Sequence, residues 1–458
     1  MKEFDVVVLG AGPGGYSLAN ILSSNGKKVA LIERKHFGGT CVNEGCISTK
    51  TLIKSAKVLE TLKHSKEYGI LTKDADFDLQ EIQNRRQVNK EILNGAIKAS
   101  IENAGVEIFF GEGEVIDKNT LSVNGEMIKT DKLVLATGAR SRDLDIEGYK
   151  DSKSKGFIID STDALYLNKK PESFTIIGSG PVGLEFAYFY STLGSKVTIL
   201  EAGKFMNNFD IDLQETVKSY FIKRNVNIIE NAKIEKFIGN NIEFEVNGKK
   251  GSLLSEKILV AAGRVANNDS FKSLNLELNK NGSVKVNNKM ETSVKGVYAL
   301  GDVTGILMLS TVAYKTADII AKEILKQNSE GEIFEAKQIP WSVYLNPEFS
   351  GVGFTEQELK SRNIEFNIIK IPTSALPRAY ADNLEKELGF IKFLVSKNDG
   401  QILGSFMFAE GSHLIINEIA LAISNKISFM DLQKNPFTHP TVAEAVYYGS
   451  RNYVFSKK

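Results

Sequence analysis

The feature that most constrains this chain is a glycine-rich turn that occurs twice, each time between two apolar segments. In the first copy, the apolar run DVVVL is followed by GAGPGG, an amphipathic helical pattern and a second apolar run that ends at Glu33. Gly10, Gly12 and Gly15 have the G-x-G-x-x-G spacing, and the acid lies about 20 residues further on, as in dinucleotide-binding units. Such glycines let backbone amides approach a pyrophosphate, and the carboxylate can bind a ribose diol. The pattern predicts a strand–turn–helix–strand unit that binds a dinucleotide.

The second copy of the unit is SFTIIGSGPVGLEFAYFYSTLGSKVTILE. Its glycines are Gly178, Gly180 and Gly183, and the acid that closes it is Glu201. Two fingerprints in one chain predict two dinucleotides, and FAD with a nicotinamide cofactor is the simplest pairing. A carboxylate at the end of the second strand would repel the additional phosphate of NADP, so Glu201 favours NAD.

Three further apolar runs end in small residues, as strands do where they meet a nucleotide. KLVLATGAR contains Thr137 and Gly138, and KILVAAGRV contains Gly263. GVYALGDVTG places Asp302 just past an apolar strand, where its carboxylate can bind a ribityl hydroxyl. Each run alone is an ordinary strand end, but their order along the chain predicts that they line the nucleotide sites.

The only two cysteines of the chain, Cys41 and Cys46, lie in the segment FGGTCVNEGCISTK. On one regular helix they would be about 7.5 Å apart along the axis and about 140° apart around it, too far for a disulfide. If the sulfurs meet, the helix must begin late, after a turn over residues 43–45. Four interpretations of the cysteine pair remain open: a coincidence, half of a metal site, a structural disulfide and a redox centre. A redox role is favoured, because structural disulfides are rare in the cytosol and only His36 is a further metal ligand nearby.

Length and composition indicate several globular domains. At 458 residues, the chain exceeds the size at which one hydrophobic core stops growing. A hydrophobic content of 42% and a net charge of +1 do not suggest a nucleic-acid or membrane partner. No apolar run approaches membrane-spanning length, and the acidic Glu3 and Asp5 are untypical of a signal peptide, so a cytoplasmic protein is expected.

Taken in order, these motifs resemble those of the class I pyridine nucleotide–disulfide oxidoreductases. The likeness covers essentially the whole chain and includes IPWSVYLNPEFSGVGFTEQEL (339–359) and HPTVAE near the C-terminus. It implies an α/β fold with two Rossmann-like dinucleotide-binding domains, for FAD and NAD, and a C-terminal α+β dimerisation domain. The expected domains are 1–145 for FAD binding, 146–267 for NAD binding, 268–338 for a central domain that completes the FAD site, and 339–458 for the interface.

The resemblance implies roles for the residues around the cysteine pair. Cys41 would be the interchange thiol that reacts with substrate, and Cys46 would be the thiol that faces the flavin in a redox disulfide. Lys50 would lie near the flavin ring and pair with Glu185, which follows the second glycine turn.

The resemblance also implies a homodimer in which each subunit completes its partner's active site. His439 would be the acid–base, acting in trans and held in one tautomer by Glu444. An imidazole can exchange a proton near neutral pH, and a thiolate rather than a thiol is the nucleophile. Gly113 would approach the adenosine half of FAD, and no metal is expected.

The motifs that are missing narrow the expected activity. The C-terminus SRNYVFSKK carries no further cysteine, unlike the usual mercuric reductases and the large thioredoxin reductases. Because Glu201 disfavours NADP, the chain most resembles dihydrolipoyl dehydrogenases, which oxidise protein-bound dihydrolipoamide with NAD. Its partners would then be the lipoyl domains of 2-oxo acid dehydrogenase or glycine cleavage complexes.

Two departures from the family pattern keep other activities open. Ser48 occupies a position where the family commonly has proline, and Phe437 one where dihydrolipoyl dehydrogenases often have histidine. The alternatives are an NAD(P)H-dependent reductase of another disulfide or thiol-reactive substrate, an NADH oxidase, and a flavoprotein kept for binding alone. The second cysteine would be superfluous in an oxidase, and the whole redox set would be superfluous in a scaffold.

Overall fold

The computed structural model describes residues 1–327, 334–384 and 388–456. Helices and strands are present along the whole described chain, and the predicted α/β fold class is confirmed. None of the helices in these ranges combines the length and the apolar composition needed to cross a membrane.

The first glycine turn lies in a sheet with parallel central strands. Its region contains the strands β1 (Lys2–Leu9), β2 (Val29–Glu33), β3 (Glu107–Phe110), β4 (Gly113–Asp117), β5 (Thr120–Val123), β6 (Glu126–Leu135) and β7 (Ala139–Ser141) and the helices α1 (Pro13–Ser24), α2 (Gly39–Asn43), α3 (Cys46–Lys63) and α4 (Leu79–Asn103). The strand order is β3-β2-β1-β6-β5-β4, with β1 parallel to β2 and β6. Val6, Val7 and Val8 of β1 are fully buried, because both faces of a central parallel strand are covered.

The second glycine turn lies in a sheet of its own. Its region contains the helices α5 (Tyr149–Ser154), α6 (Ser161–Leu165), α7 (Pro181–Thr192) and α8 (Ile211–Lys223) and the strands β8 (Ile158–Ile159), β9 (Ser173–Ile177), β10 (Lys196–Leu200), β11 (Asn227–Ile229), β12 (Ala232–Ile238), β13 (Asn241–Val246), β14 (Lys249–Leu254), β15 (Lys257–Val260) and β16 (Arg264–Ala266). The parallel order is β11-β10-β9-β15-β8, and β12, β13 and β14 form a separate antiparallel sheet. A short ribbon of β16 and β7 connects the two dinucleotide-binding regions.

The segment expected to complete the FAD site contributes directly to the first sheet. It contains the strand β17 (Val297–Ala299) and the helix α9 (Ser310–Ile324). β17 pairs in parallel with β6, and α9 packs against α1. The three boundaries between the four expected domains stay predictions.

The C-terminal region is a five-stranded antiparallel sheet covered by helices. It contains the strands β18 (Trp341–Val343), β19 (Phe349–Gly353), β20 (Phe366–Pro372), β21 (Phe390–Ser396) and β22 (Ile402–Phe408) and the helices α10 (Glu356–Ser361), α11 (Pro377–Ala381), α12 (Ser412–Ser424), α13 (Phe429–Leu432) and α14 (Glu444–Ser456). The strand order is β18-β19-β22-β21-β20. Short 3-10 helices cover Ser65–Tyr68, Asp269–Leu274, Gly301–Thr304, Ala336–Gln338 and Thr373–Ala375.

Helix α3, which begins at Cys46, lies where the three regions meet. Leu52 of α3 belongs to the same hydrophobic cluster as Phe186 of α7 and Phe349 of β19. Lys57 of α3 forms an ion pair of 3.1 Å with the buried Glu348 of the C-terminal region. The helix that carries the second cysteine is therefore held from the nucleotide-binding side and from the interface side.

Candidate active site

The first glycine turn is shaped by close backbone packing at two positions and is open at the third. Gly10 has a φ of +111°, and a Cβ there would lie 2.4 Å from the carbonyl oxygen of Ala136. A Cβ at Gly15 would lie 1.9 Å from the carbonyl oxygen of Gly10, so both positions require glycine. A Cβ at Gly12 would meet no atom within 4 Å. The open position precedes the first turn of α1, which leaves room for a pyrophosphate at the helix N-terminus.

Glu33 closes this turn from the end of β2. Its side chain is nearly buried and accepts hydrogen bonds from the backbone N–H groups of Ala11 at 2.8 Å and Lys35 at 2.7 Å. The predicted carboxylate is thus fixed beside the glycine turn, in the place that a ribose would reach.

The second glycine turn repeats this geometry in the region predicted to bind NAD. Gly178 has a φ of +106°, a Cβ at Gly183 would lie 2.4 Å from the carbonyl oxygen of Gly178, and Gly180 is open. Glu201 accepts hydrogen bonds from the backbone N–H and the hydroxyl of Ser179, at 2.8 and 2.7 Å. The local packing that fits a dinucleotide is therefore present twice.

The side-chain carboxylate of Asp302 is a hydrogen-bond acceptor that receives no hydrogen bond from the described residues. Burial raises the pKa of its carboxyl group, and Arg264 partly opposes that effect. Within the described residues, no group donates a hydrogen bond to this carboxylate. An acceptor of this kind beside the first sheet fits a hydroxyl of a flavin side chain, so the residues present fit FAD.

The remaining predicted cofactor positions differ in what surrounds them. Thr137 donates a hydrogen bond of 2.8 Å from its hydroxyl to the carbonyl of Asn267. Gly138 and Gly263, with φ values of +68° and +97°, lie beside the ribbon between the two regions, and a Cβ at either would meet no atom within 4 Å. Gly113 is buried at the start of β4.

A Cβ at Gly113 would lie 2.7 Å from the Cδ1 atom of Leu9 and 3.0 Å from the Cγ2 atom of Ile32. A larger residue at this position would therefore force the Leu9 side chain to shift inside the sheet. Its role toward the adenosine stays a prediction.

The two cysteines meet because the helix between them is broken. α2 ends at Asn43, Gly45 has φ −148° and ψ −117°, and α3 begins at Cys46. The predicted late start of the helix is confirmed, although Cys41 lies on a short helix of its own. Both residues carry free thiols, and each is the group that most strongly affects the pKa of the other.

The surroundings of the two thiols favour negative charge on Cys46. The hydrogen bond from Cys41 has the largest effect in lowering the pKa of Cys46, and Lys50 and Ser310 lower it further against the effect of burial. The same hydrogen bond, together with burial, raises the pKa of Cys41. Cys46 is also the first residue of α3, where the helix dipole favours an anion.

Lys50 and Glu185 form the predicted pair. The Lys50 ammonium donates hydrogen bonds of 2.7 and 2.9 Å to the two carboxylate oxygens. The backbone N–H of Tyr344 donates to the same carboxylate at 3.1 Å, and the Lys50 ammonium lies 4.8 Å from the centre of the Tyr344 ring. The C-terminal region of the same subunit thereby reaches the cysteine site.

His439 and Glu444 are also brought together. The His439 Nδ1 atom lies 2.9 Å from Glu444 Oε1, and the backbone N–H of Thr441 donates to Glu444 Oε2 at 2.8 Å. Burial would raise the pKa of Glu444, but these two hydrogen bonds outweigh it and lower that pKa. The His439 side chain is 63% exposed. Among the described residues, no hydrogen bond, ion pair or ring contact joins it to either cysteine of its own subunit.

The structure adds residues that the motifs did not indicate. Ser310, at the start of α9, lies 3.7 Å from the Cys46 sulfur through its hydroxyl oxygen. The hydroxyls of Tyr314 and Tyr16 are hydrogen-bonded at 2.7 Å, one turn further along α9. Tyr344 contacts the Lys50–Glu185 pair. None of these residues lies in a glycine, cysteine or histidine motif, and although Tyr344 belongs to the segment 339–359, nothing in that segment indicated a role at the cysteine site.

Family models match nearly the whole chain. The model described as pyridine nucleotide-disulphide oxidoreductase matches residues 4–317, and that of the dimerisation domain of these proteins matches residues 339–448. The chain belongs to the pyridine nucleotide-disulphide oxidoreductase family. It is therefore a flavoprotein disulfide oxidoreductase that uses FAD and NAD(H), and its dimerisation domain supports a homodimer.

Individual relatives agree with this membership. The chain is 36% identical to a dihydrolipoyl dehydrogenase of Mycoplasma genitalium over 97% of both chains. It is 32% identical to a dihydrolipoyl dehydrogenase of Geobacillus stearothermophilus, over 96% of this chain and 94% of the relative.

Among solved structures, the Cu(II) complex of the HOCl-induced flavoprotein disulfide reductase RclA from Escherichia coli has a TM-score of 0.87 and 28% identity. That match covers 98% of this chain and 99% of the other. LpdA from Mycobacterium tuberculosis, with a TM-score of 0.88 and 23% identity over 99% and 100% of the chains, shares the fold.

Proposed function

We propose that this protein is a dihydrolipoyl dehydrogenase, which oxidises protein-bound dihydrolipoamide with NAD through a Cys41–Cys46 redox disulfide. The observation that carries the proposal is the pair of neighbouring thiols at the junction of α2 and α3, beside the Lys50–Glu185 ion pair. Two dinucleotide turns and full-length relatives named dihydrolipoyl dehydrogenase support the choice of NAD and of substrate.

The cysteine chemistry follows from the unequal surroundings of the two sulfurs. A thiolate of the substrate attacks the Cys41 sulfur of the oxidised pair, the S–S bond breaks, and Cys46 departs as a thiolate. The second substrate thiolate then attacks the substrate sulfur of the mixed disulfide, which closes the lipoyl ring and releases Cys41. The substrate loses two electrons and the cysteine pair gains them. Bound FAD supplies the transfer of this electron pair from thiols to the nicotinamide.

His439 is the proposed proton acceptor for the substrate thiols. Glu444 holds the Nδ1 side of the ring, which leaves Nε2 to face the substrate. We infer that His439 acts on the cysteine pair of the partner subunit. Its 63% exposure and the match to a dimerisation domain support this assignment.

The cofactors would be held by two sets of residues. For FAD they are Gly10, Gly12, Gly15, Glu33, Lys50, Gly113, Thr137, Gly138, Gly263 and Asp302. For NAD they are Gly178, Gly180, Gly183, Glu185 and Glu201. The lipoyl domains would belong to a 2-oxo acid dehydrogenase or glycine cleavage complex, and the cytoplasm is the expected compartment.

Parallel assays of the FAD-loaded protein test the proposal. NAD with dihydrolipoamide should give rapid turnover, whereas NADPH with glutathione disulfide should give little. If the protein instead reduces another disulfide or a thiol-reactive compound with NADH and does not oxidise dihydrolipoamide, the proposed substrate is wrong and that compound is the substrate. The likeness to a disulfide reductase at 28% identity makes that the second candidate. Rapid consumption of O₂ with NADH alone would point to an oxidase.

A further inference from the structure

One contact of the cysteine pair comes from a helix that the motifs did not connect with it. α9 begins at Ser310, and the Ser310 hydroxyl oxygen lies 3.7 Å from the Cys46 sulfur. The Ser310 hydroxyl also acts to lower the pKa of Cys41, but Cys46 and burial raise that pKa more strongly. Within the described residues, the Cys46 sulfur is the only hydrogen-bond partner of this hydroxyl.

The start of α9 adds positive potential at the same sulfur. α3 begins at Cys46 itself and α9 begins at the contacting Ser310, so the N-termini of helices of 18 and 15 residues meet at one sulfur. Each helix N-terminus carries a partial charge of about +0.5. With the Lys50 ammonium nearby, the Cys46 sulfur lies where a negative charge is most stable.

The direction of the hydrogen bond follows from the protonation state. A thiolate has no proton and can only accept, so the Ser310 hydroxyl must donate whenever Cys46 is charged. Both sulfurs compete for the remaining thiol proton in the reduced pair. A donor that points at Cys46 keeps that proton on Cys41.

We propose that Ser310 is a positioning residue of the redox centre, whose hydroxyl donates a hydrogen bond to the Cys46 thiolate and keeps the negative charge of the reduced pair on that sulfur. The inference rests on the proposed function, in which Cys46 faces the flavin. It adds a residue 264 positions away in the sequence to the cysteine chemistry.

The size of the effect follows from the charge on the acceptor. A hydrogen bond to a charged group contributes enough to shift the pKa of that group by about one to two units when it is removed. Loss of the Ser310 hydroxyl should therefore raise the pKa of Cys46 by about one unit. At a fixed pH below that pKa, the thiolate fraction would fall about tenfold.

The test uses the FAD-loaded protein with the Cys41→Ser substitution, in which Cys46 is the only thiol. Ser310→Ala removes the hydroxyl, Ser310→Thr keeps it, and Thr311→Ala removes an exposed hydroxyl from the same helical turn as a matched control. Two readouts are followed against pH: the long-wavelength charge-transfer absorbance of the thiolate against the oxidised flavin, and alkylation of Cys46 by iodoacetamide measured by mass spectrometry.

The midpoint of both titrations should rise by about one unit in Ser310→Ala and stay within about 0.3 units in the other two variants. An unchanged midpoint in Ser310→Ala, or an equal shift in Thr311→Ala, would overturn the proposal. If the charge-transfer band is absent throughout, alkylation still decides whether the hydroxyl affects the thiolate. If the wild-type protein does not oxidise dihydrolipoamide but Ser310→Ala still raises the titration midpoint of Cys46, only the proposed substrate is rejected.

Discussion

At the scale of single residues, two chemically identical side chains acquire different roles from their surroundings. Cys46 begins a long helix beside Lys50 and Ser310, whereas Cys41 lies on the short α2. A charge is therefore more stable on Cys46, and the proton stays on Cys41. This difference is what an interchange thiol and a charge-transfer thiol need.

Single replacements of the cysteines should separate these roles. In Cys41→Ser, turnover with dihydrolipoamide should fall to the background rate, but the long-wavelength absorbance should remain because the Cys46 thiolate remains. In Cys46→Ser, both should be lost. Stopped-flow reduction by NADH should still bleach the flavin in either variant. A band that vanished in Cys41→Ser and persisted in Cys46→Ser would reverse the two roles.

At the scale of elements, each glycine turn combines two functions in one short segment. Gly10 and Gly15 allow the strand and the helix to pack closely, while Gly12 leaves an opening at the N-terminus of α1. The same separation recurs at Gly178, Gly183 and Gly180 in the second unit. Packing and ligand binding can therefore be tested independently within one turn.

Alanine substitutions should distinguish these functions. Gly15→Ala places a methyl against the Gly10 carbonyl and should destabilise the apoprotein by about 1–3 kcal/mol, as overpacking does. Gly12 has φ −67° and ψ 179°, which alanine tolerates, so Gly12→Ala should leave the thermal midpoint of the apoprotein unchanged.

Titration with FAD completes this comparison. Gly12→Ala should weaken FAD binding by at least about tenfold, because its methyl occupies the opening that the pyrophosphate needs. Unimpaired FAD affinity in Gly12→Ala would show that the open position does not hold the cofactor.

At the scale of the whole molecule, a buried ionic cluster joins the NAD-binding and C-terminal regions. The Lys392 ammonium, which is 0% exposed, lies 2.9 Å from Asp210, 2.5 Å from Asp212 and 2.6 Å from Glu356. Burial would lower the pKa of Lys392, but the three carboxylates outweigh it and raise that pKa. The cluster fixes the start of α8 against β21 and α10.

Removal of the central cation should destabilise the protein strongly. Lys392→Met leaves the fully buried Asp210 without its lysine partner and should lower the free energy of unfolding by about 3–5 kcal/mol. Lys370→Met removes a half-exposed partner of Asp212 and should cost less than about 1 kcal/mol. Urea and thermal unfolding of both variants check this difference. Equal free energies of unfolding for the two variants would show that the cluster does not stabilise the contact between the two regions.

The pH dependence of this cluster has a definite sign. The pKa values of Asp212 and Glu356 are lowered from the ordinary 3.8 and 4.5; burial alone would raise them, but their lysine partners outweigh it. Their contribution to stability is therefore complete above those ordinary values and is lost as the pH falls through the lower folded-state values. In acid titrations, the Lys392→Met variant should lose only part of this pH dependence, because Lys370 and Lys360 still lower the pKa values of Asp212 and Glu356.

Assembly determines whether an active site is complete. If His439 serves the partner's cysteine pair, hybrids of Cys46→Ala and His439→Gln subunits contain one intact site. Random mixing makes about half of the dimers hybrids, so activity should recover to about a quarter of the wild-type value. Mass spectrometry confirms that hybrids form. Verified hybrids without recovered activity would place both residues in the site of one subunit.

The sequence by itself determined the features that depend on local spacing. The two glycine turns, their closing acids and the strands before them follow from patterns within a few residues. The break between the cysteines follows from their spacing only if the two sulfurs meet. The family resemblance, rather than spacing, implied the pairing of His439 with Glu444, which the structure shows at 2.9 Å. The order of these motifs was sufficient to recognise the family.

Only the tertiary structure decided which distant residues complete the site. Ser310 reaches Cys46, Tyr344 reaches Glu185, and β17 joins the first sheet beside β6. The packing of Gly113 against Leu9 and Ile32 was equally hidden. Such contacts depend on how whole sheets and helices pack against one another. The periodicity of residues describes a single helix or strand. It carries no information about which other elements that helix or strand packs against.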